Sequence, residues 1–268
     1  MKLSAVLSAV LGASVVAAAP GTAKRRERAA RILAERANGR RSGPMIPDIM
    51  DTDDLAVVNG TSHASYSTNW AGAVLIGTGY KSVTGTFTVP TPKVPTGGSS
   101  AKTYSASAWV GIDGDTCSSA ILQTGIDFNI QGSKVSYDAW YEWYPQVSHD
   151  FTGMSISAGD KITVTVTAAS KKTGTAVIKN DTTGKSVTHS FTSGTASLCE
   201  ENAEWIVEDF EEGSSLVPFA DFGTVTFSEA TVNSGTGVSG ATIIDLRQSG
   251  KVLTSCSASG ESVTCSYV

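Results

Sequence analysis

From Asn69 to the C-terminus, apolar and β-branched residues alternate with polar ones in short runs divided by Gly, Ser, Thr and Asn. Val83-Thr84-Gly85-Thr86-Phe87-Thr88-Val89 and Ile162-Thr163-Val164-Thr165-Val166-Thr167 show it most plainly; Val187–Phe191, Val225–Phe227 and Ala241–Leu246 repeat it. A strand turns successive side chains to opposite faces, so this pattern buries one face and wets the other. Several such runs at close spacing predict an all-β body, an antiparallel sandwich or barrel. No run after residue 61 keeps a helical period, and neither an internal repeat nor a second domain is visible.

The first part of the chain reads differently. A basic start, Met1-Lys2, is followed by an apolar stretch from Leu3 to Val16 and by Ala17-Ala18-Ala19-Pro20, the pattern of a secretory signal peptide over residues 1–19. No other stretch is apolar enough to span a membrane, so the mature protein is expected to be secreted, extracellular and free of the membrane. Residues 20–41 hold eight Lys/Arg against two Asp/Glu, a net +6, whereas residues 61–268 hold 11 against 19, a net −8. Ala29, Ala30, Ile32, Leu33, Ala34 and Ala37 among these charges predict a helix, with Gly39 as its stop. Ser42–Asp54, rich in Pro and Asp, reads as a flexible junction.

In a secreted chain with an acidic body, such a leader fits a removable prosegment over residues 20–60 better than a nucleic-acid or membrane-binding arm. The mature domain is then residues 61–268, with its own propeptide as intramolecular inhibitor. Docked through opposite charge, the leader is expected to loosen in acid as carboxylates are protonated.

Four cysteines in a secreted protein predict two disulfides, for which three pairings exist. The runs around Ala258-Ser259-Gly260 favour Cys256 with Cys265, leaving Cys117 with Cys199. No CxxC spacing occurs and the only histidines are His63, His149 and His189, so no metal site and no cofactor are expected. There is no G-x-S-x-G, H-E-x-x-H, phosphate loop, or Asp-Thr-Gly or Asp-Ser-Gly pair. Hydrolytic chemistry would have to come from carboxylates and amides.

Three segments could supply it: Ala108–Gly125, Tyr137–Pro145 and Leu198–Glu211. Strand alternation puts Asp138, Trp140, Glu142 and Tyr144 on one face, a mixture of aromatic and acidic groups that suits a groove wall as well as a half-buried surface. Glu204, Ile206, Glu208 and Phe210 share a face in the third segment; an acid set among apolar neighbours is either solvated or tuned in pKa. Gln123, between Leu122 and Thr124, reads alone as an ordinary strand amide. A Cys117–Cys199 bridge would hold the starts of two strands together and bring Gln123 and Glu208 to similar depth, with a turn or bulge at Glu200-Glu201-Asn202.

These segments resemble the glutamic peptidases, or eqolisins, secreted fungal acid proteases. The resemblance runs from Asn69-Trp70-Ala71-Gly72 to Cys265-Ser266-Tyr267-Val268. It implies a sandwich of two curved antiparallel sheets, a concanavalin- or lectin-like jelly roll, with substrate on the concave side. It places the catalytic residues at Glu208 and Gln123, with Trp109, Asp113, Asp127, Glu142 and Glu211 around or supporting them and Trp140 on the same aromatic wall. Glu212-Gly213-Ser214-Ser215-Leu216 lacks the extra cysteine pair of some members. Polypeptide substrates, insensitivity to pepstatin and a monomeric state follow as expectations. The competing readings are a jelly-roll glycosidase using Glu142 and Glu208, and a lectin-like binding module. Asn180-Asp181-Thr182 and Asn59-Gly60-Thr61 are candidate glycosylation triplets.

Overall fold

The computed structural model describes residues 39–48, 65–233 and 235–268. The expected signal peptide, the expected leader helix before Gly39, and Asn59 lie outside them. The strands, in chain order, are β1 (Arg40–Arg41), β2 (Ser65–Ser67), β3 (Trp70–Ile76), β4 (Ser82–Thr88), β5 (Thr103–Ile112), β6 (Ile121–Gln131) and β7 (Lys134–Tyr144). Then come β8 (His149–Asp150), β9 (Lys161–Ser170), β10 (Thr173–Asn180), β11 (Lys185–Phe191), β12 (Asn202–Glu208), β13 (Glu211–Glu212) and β14 (Ser215–Leu216). The last are β15 (Thr224–Val232), β16 (Gly235–Thr236), β17 (Thr242–Gln248), β18 (Lys251–Val252), β19 (Thr254–Ser259) and β20 (Ser262–Tyr267). No helix occurs among the described residues.

Two sheets carry the fold. One runs β18-β17-β3-β12-β5-β6-β7-β8, the other β11-β10-β9-β4-β15-β20-β19, and β1, β13 and β14 form a small third sheet. Pairing is antiparallel throughout except for the short β2 against β17. The expected all-β sandwich is what forms.

Alternation explains both faces of the second sheet. Its inner face gives Val83, Phe87, Ile162, Val164, Val166, Ile178 and Phe227 to a core shared with Ala108, Val110, Leu122, Ile126, Phe128, Trp205 and Val207 of the first. Its outer face carries hydroxyl pairs across strands, Thr84 with Thr165 at 3.0 Å and Thr86 with Thr163 at 2.8 Å. Threonine suits such positions because its branched Cβ fits a pleated surface while its hydroxyl finds a cross-strand partner.

Both predicted disulfides are present, Cys117–Cys199 and Cys256–Cys265. The loop before β12 turns at Glu200, whose φ of 67° meets the expected irregularity there. Asn180, the candidate glycosylation residue, is fully buried, its Nδ2 donating to Asp160 Oδ2 and the Ser155 carbonyl. One expectation is corrected. Ser42–Asp48 is no free junction: it lies along the concave face of the first sheet, held by the contacts described below, while residues 49–54 are outside the described residues.

Candidate active site

Register on the first sheet sets the concave face in three rows. One row reads Val74, Glu204, Gly111, Gln123, Glu142; the next, Gly72, Ile206, Trp109, Gly125, Trp140; the third, Trp70, Glu208, Ser107, Asp127, Asp138. The sequence-predicted Trp109, Gln123, Asp127, Trp140, Glu142 and Glu208 therefore share one surface. Gln123 and Glu208 do not share a depth, however. Gln123 is level with Glu204, five residues after Cys199, and Glu208 lies a further four along β12. The two lie on one face, diagonally to either side of Trp109.

Trp109 lies flat there because glycines flank it. A Cβ on Gly111 would approach the Trp109 ring to 2.8 Å, and one on Gly125 would come within 2.4 Å of Trp109 Cβ. Its indole Nε1 donates to Glu208 Oε2 at 2.9 Å, and its ring packs edge-on against Trp70 with centroids 5.0 Å apart. That bond fixes one carboxyl oxygen of Glu208 and leaves Oε1 without a partner among the described residues.

Residues 40–43 cross this surface as an extended strand, with Arg40–Arg41 pairing to Glu211–Glu212. The Arg40 guanidinium forks onto Asp127 at 2.6 and 2.7 Å, donates to Ser107 Oγ at 3.1 Å, and approaches Glu142 Oε2 to 3.7 Å. It is stacked between Trp140 and Phe210, 3.9 and 4.4 Å from their ring centres. Planar charge, forked donors and aromatic faces are what a guanidinium pocket requires. Trp140 Nε1 donates to the same Ser107 hydroxyl at 3.1 Å, so Ser107 ties the aromatic wall to the cation.

Ser42 is held by both of its backbone groups: its N–H donates to Glu142 Oε2 at 3.0 Å, and its carbonyl accepts from Gln123 Nε2 at 2.7 Å. The Ser42 hydroxyl lies close enough to Glu208 to draw its pKa down, yet makes no geometric hydrogen bond. Trp70 Nε1 donates to the Gly43 carbonyl at 3.0 Å.

With the segment in place the acids of this face are dry. Burial pushes Glu208 up to about 8, against the pull of Arg40 and of the Ser42 and Trp109 donors. Burial also sets Glu142 well above the ordinary carboxylate range and raises Asp127, with Arg40 pulling both back. Glu204 is fully buried, has no partner on either oxygen among the described residues, and is likewise pushed well up by burial and then by Asp113 and Asp115.

Two expected supporting residues stand elsewhere. Asp113 accepts four backbone N–H groups, from Cys199 through Asn202, at 2.7–3.3 Å, and so shapes the loop leading into β12. Glu211 sits on β13 and pairs with Arg41 at 3.3 Å. Asp113 with Cys117 and Cys199 is the one metal-ligand-like cluster among the described residues, and its sulfurs are joined in a disulfide. Sequence reasoning left out Ser107 and Trp70 as site residues; Ser107, two before Trp109 on one strand, carried the signal in its alternation.

Residues 68–267 match the Peptidase A4 family. Over 287 aligned residues the chain is 52% identical to Aspergillopepsin-2 of Aspergillus niger, covering 100% of both. It is 45% identical to Scytalidopepsin B of Scytalidium lignicola over 276 residues, 99% of this chain and 98% of that one. Scytalido-glutamic peptidase, solved with a transition state analog inhibitor, superposes with a TM-score of 0.68 at 46% identity, over 75% of this chain and 98% of the other. The chain belongs to the peptidase A4, or eqolisin, family and is a peptide-bond hydrolase of the acid endopeptidase class. The glycosidase and lectin alternatives gain nothing from these relatives.

Proposed function

We propose that this protein is a secreted acid endopeptidase in which Glu208 is the general base and acid and Gln123 the oxyanion donor, made as a precursor whose residues 20–60 inhibit it. One observation supports this most: a peptide carbonyl, that of Ser42, lies 2.7 Å from Gln123 Nε2 on the face that also carries Glu208. In a substrate, Gln123 would donate to the oxygen that becomes negative on attack, worth about 3 kcal/mol for one preorganised donor. Glu208, as carboxylate, would take a proton from water and deliver it to the leaving nitrogen. Asp127 and Glu142 with Trp140 and Phe210 would receive a basic substrate side chain where Arg40 now sits.

With residues 39–48 in the groove, Glu208 is protonated below a pH of about 8 and cannot act as base. Opening returns it to water and toward the ordinary carboxylate value of about 4.3, where it works in acid. With the groove covered, Asp127, Glu142 and Glu208 all stand above the ordinary carboxylate range, so docking takes up protons and acid tightens the segment through these three groups. The loosening in acid expected from opposite charge alone leaves this proton uptake out.

The test is an assay of processed protein in acid against denatured protein and polysaccharide, with and without pepstatin, using the Glu208→Gln and Gln123→Glu variants. Peptides from wild type alone, insensitive to pepstatin, are expected. Near-normal cleavage by either variant would end the assignment. Boundaries at residues 19 and 60, a monomeric state and the absence of nucleic-acid or membrane partners belong to the same proposal, and mass spectrometry and light scattering of the secreted product check them.

A further inference from the structure

We infer that the Ser42–Gly43 peptide bond is the protein's own first substrate, the bond at which the folded precursor cuts itself. This rests on the roles proposed for Gln123 and Glu208, and adds to them a bond. Three backbone groups bracket it. The Ser42 N–H is taken by Glu142 at 3.0 Å, the Ser42 carbonyl by Gln123 at 2.7 Å, and the Gly43 carbonyl by Trp70 at 3.0 Å. The chain is thus held in register immediately before and after residue 42, and the carbonyl facing the oxyanion donor is that of Ser42 and no other.

Side-chain anchors fix the same register from both directions. Upstream, Arg40 is forked onto Asp127 and Arg41 pairs with Glu211. Downstream, Asn69 donates to the Pro44 carbonyl at 3.0 Å and accepts from the Ile46 N–H at 2.9 Å, Met45 N–H donates to the Gly114 carbonyl at 3.0 Å, and Asp48 pairs with Arg247 at 2.6 Å. A slip by one residue would break every one of these contacts, so the segment presents a single bond.

The step is ordinary hydrolysis. Once the segment loosens enough for water to reach Glu208 and return it to its carboxylate form, Glu208 takes a proton from a water as that oxygen bonds to the Ser42 carbonyl carbon, and Gln123 holds the oxyanion. The C–N bond then breaks and Glu208 returns the proton to the Gly43 nitrogen, giving a new carboxyl-terminus at Ser42 and a new amino-terminus at Gly43. Because bond and catalyst share one chain, the cut is unimolecular. Each half keeps its own anchors, Arg40 and Arg41 on one side and the Asn69 and Arg247 contacts on the other, so this cut alone leaves the groove filled and a lag precedes full activity.

Purified precursor, shifted from neutral to acid pH, is sampled in time by intact-mass spectrometry across a hundredfold dilution. The expected first fragments end at Ser42 and begin at Gly43, with a rate constant independent of concentration, and Glu208→Gln precursor stays whole. First fragments with any other junction, a rate proportional to concentration, or cutting at this bond in purified Glu208→Gln would overturn the inference. Wild type that digests added denatured protein but starts elsewhere sinks this proposal alone; wild type that digests nothing sinks the function proposed above as well.

Discussion

The two faces of the first sheet are both buried over their centres but differently composed. The face toward the second sheet is apolar: Ala108, Val110, Leu122, Ile126, Phe128 and Val207 meet Phe87, Val164 and Phe227 with no charged group among them. The concave face sets tryptophans beside Gln123, Asp127, Glu142, Glu204 and Glu208, each 5% exposed or less. What covers the first is a sheet of the same fold; what covers the second, at least in part, is the ten-residue stretch 39–48, proposed above to belong to a prosegment. On the proposed function, burial is permanent on one side and removable on the other. Gln123 Oε1 and Glu208 Oε1 are left without partners among the described residues beneath that cover, a cost that removing it would relieve.

That contrast can be broken at either face. The largest effect is expected in the core between the sheets: Phe227→Ala, at a fully buried ring edge-on to Phe87, should cost about 3–5 kcal/mol in denaturant unfolding with the groove chemistry intact in whatever remains folded. On the concave face, Gln123→Ala should lower kcat by roughly 10²–10³ while shifting the denaturation midpoint little. A change confined to KM would show that the amide binds substrate and does not serve the transition state.

Arg40→Ala acts on the cover. Truncating a buried, forked charge pair costs about 2–5 kcal/mol, so the precursor should open readily and show activity before any cut, read as peptide turnover in the first minutes after dilution. The smallest effect is a slope. Glu204 ionises near 4.5 in the unfolded chain but well above that when folded. The folded state therefore holds the proton longer, and its stability falls as pH rises from about 4.5 through the raised value, by up to about 1.4 kcal/mol per pH unit for one group. Glu204→Gln should flatten the decline of Tm across that window and leave it unchanged in stronger acid; an unaltered slope would place the neutral-pH sensitivity elsewhere.

Alternation made the β body legible: Val83–Val89 and Ile162–Thr167 became neighbouring strands β4 and β9, and the cysteine spacing gave both bridges. Gln123 gained its catalytic role only through resemblance, since a lone strand glutamine is not distinctive and the bridge argument gave it a depth but no role. The relative depth of Gln123 and Glu208 was misread because the loop Cys199–Asn202 uses fewer residues than a regular entry, making Glu204 the level partner. The docking of Ser42–Asp48 was invisible for a different reason. Pro, Gly and Asp describe local preference, whereas the order of this stretch comes from Glu142, Gln123, Trp70 and Asn69, all of them distant in sequence.

The Cys117–Cys199 bridge spans 82 residues and so encloses β6 through β11 in a covalent ring. An acid protease lives among copies of itself, each able to nick its neighbour's exposed turns. A break at the tip near Gly153 or near Gly184, both inside the ring, would leave two pieces that cannot part, with β6 still paired to β5 and β5 to β12. Damage of that kind changes the number of chain ends before it changes the shape of the groove, so a preparation can show several bands on a reducing gel and still digest its substrate at full rate.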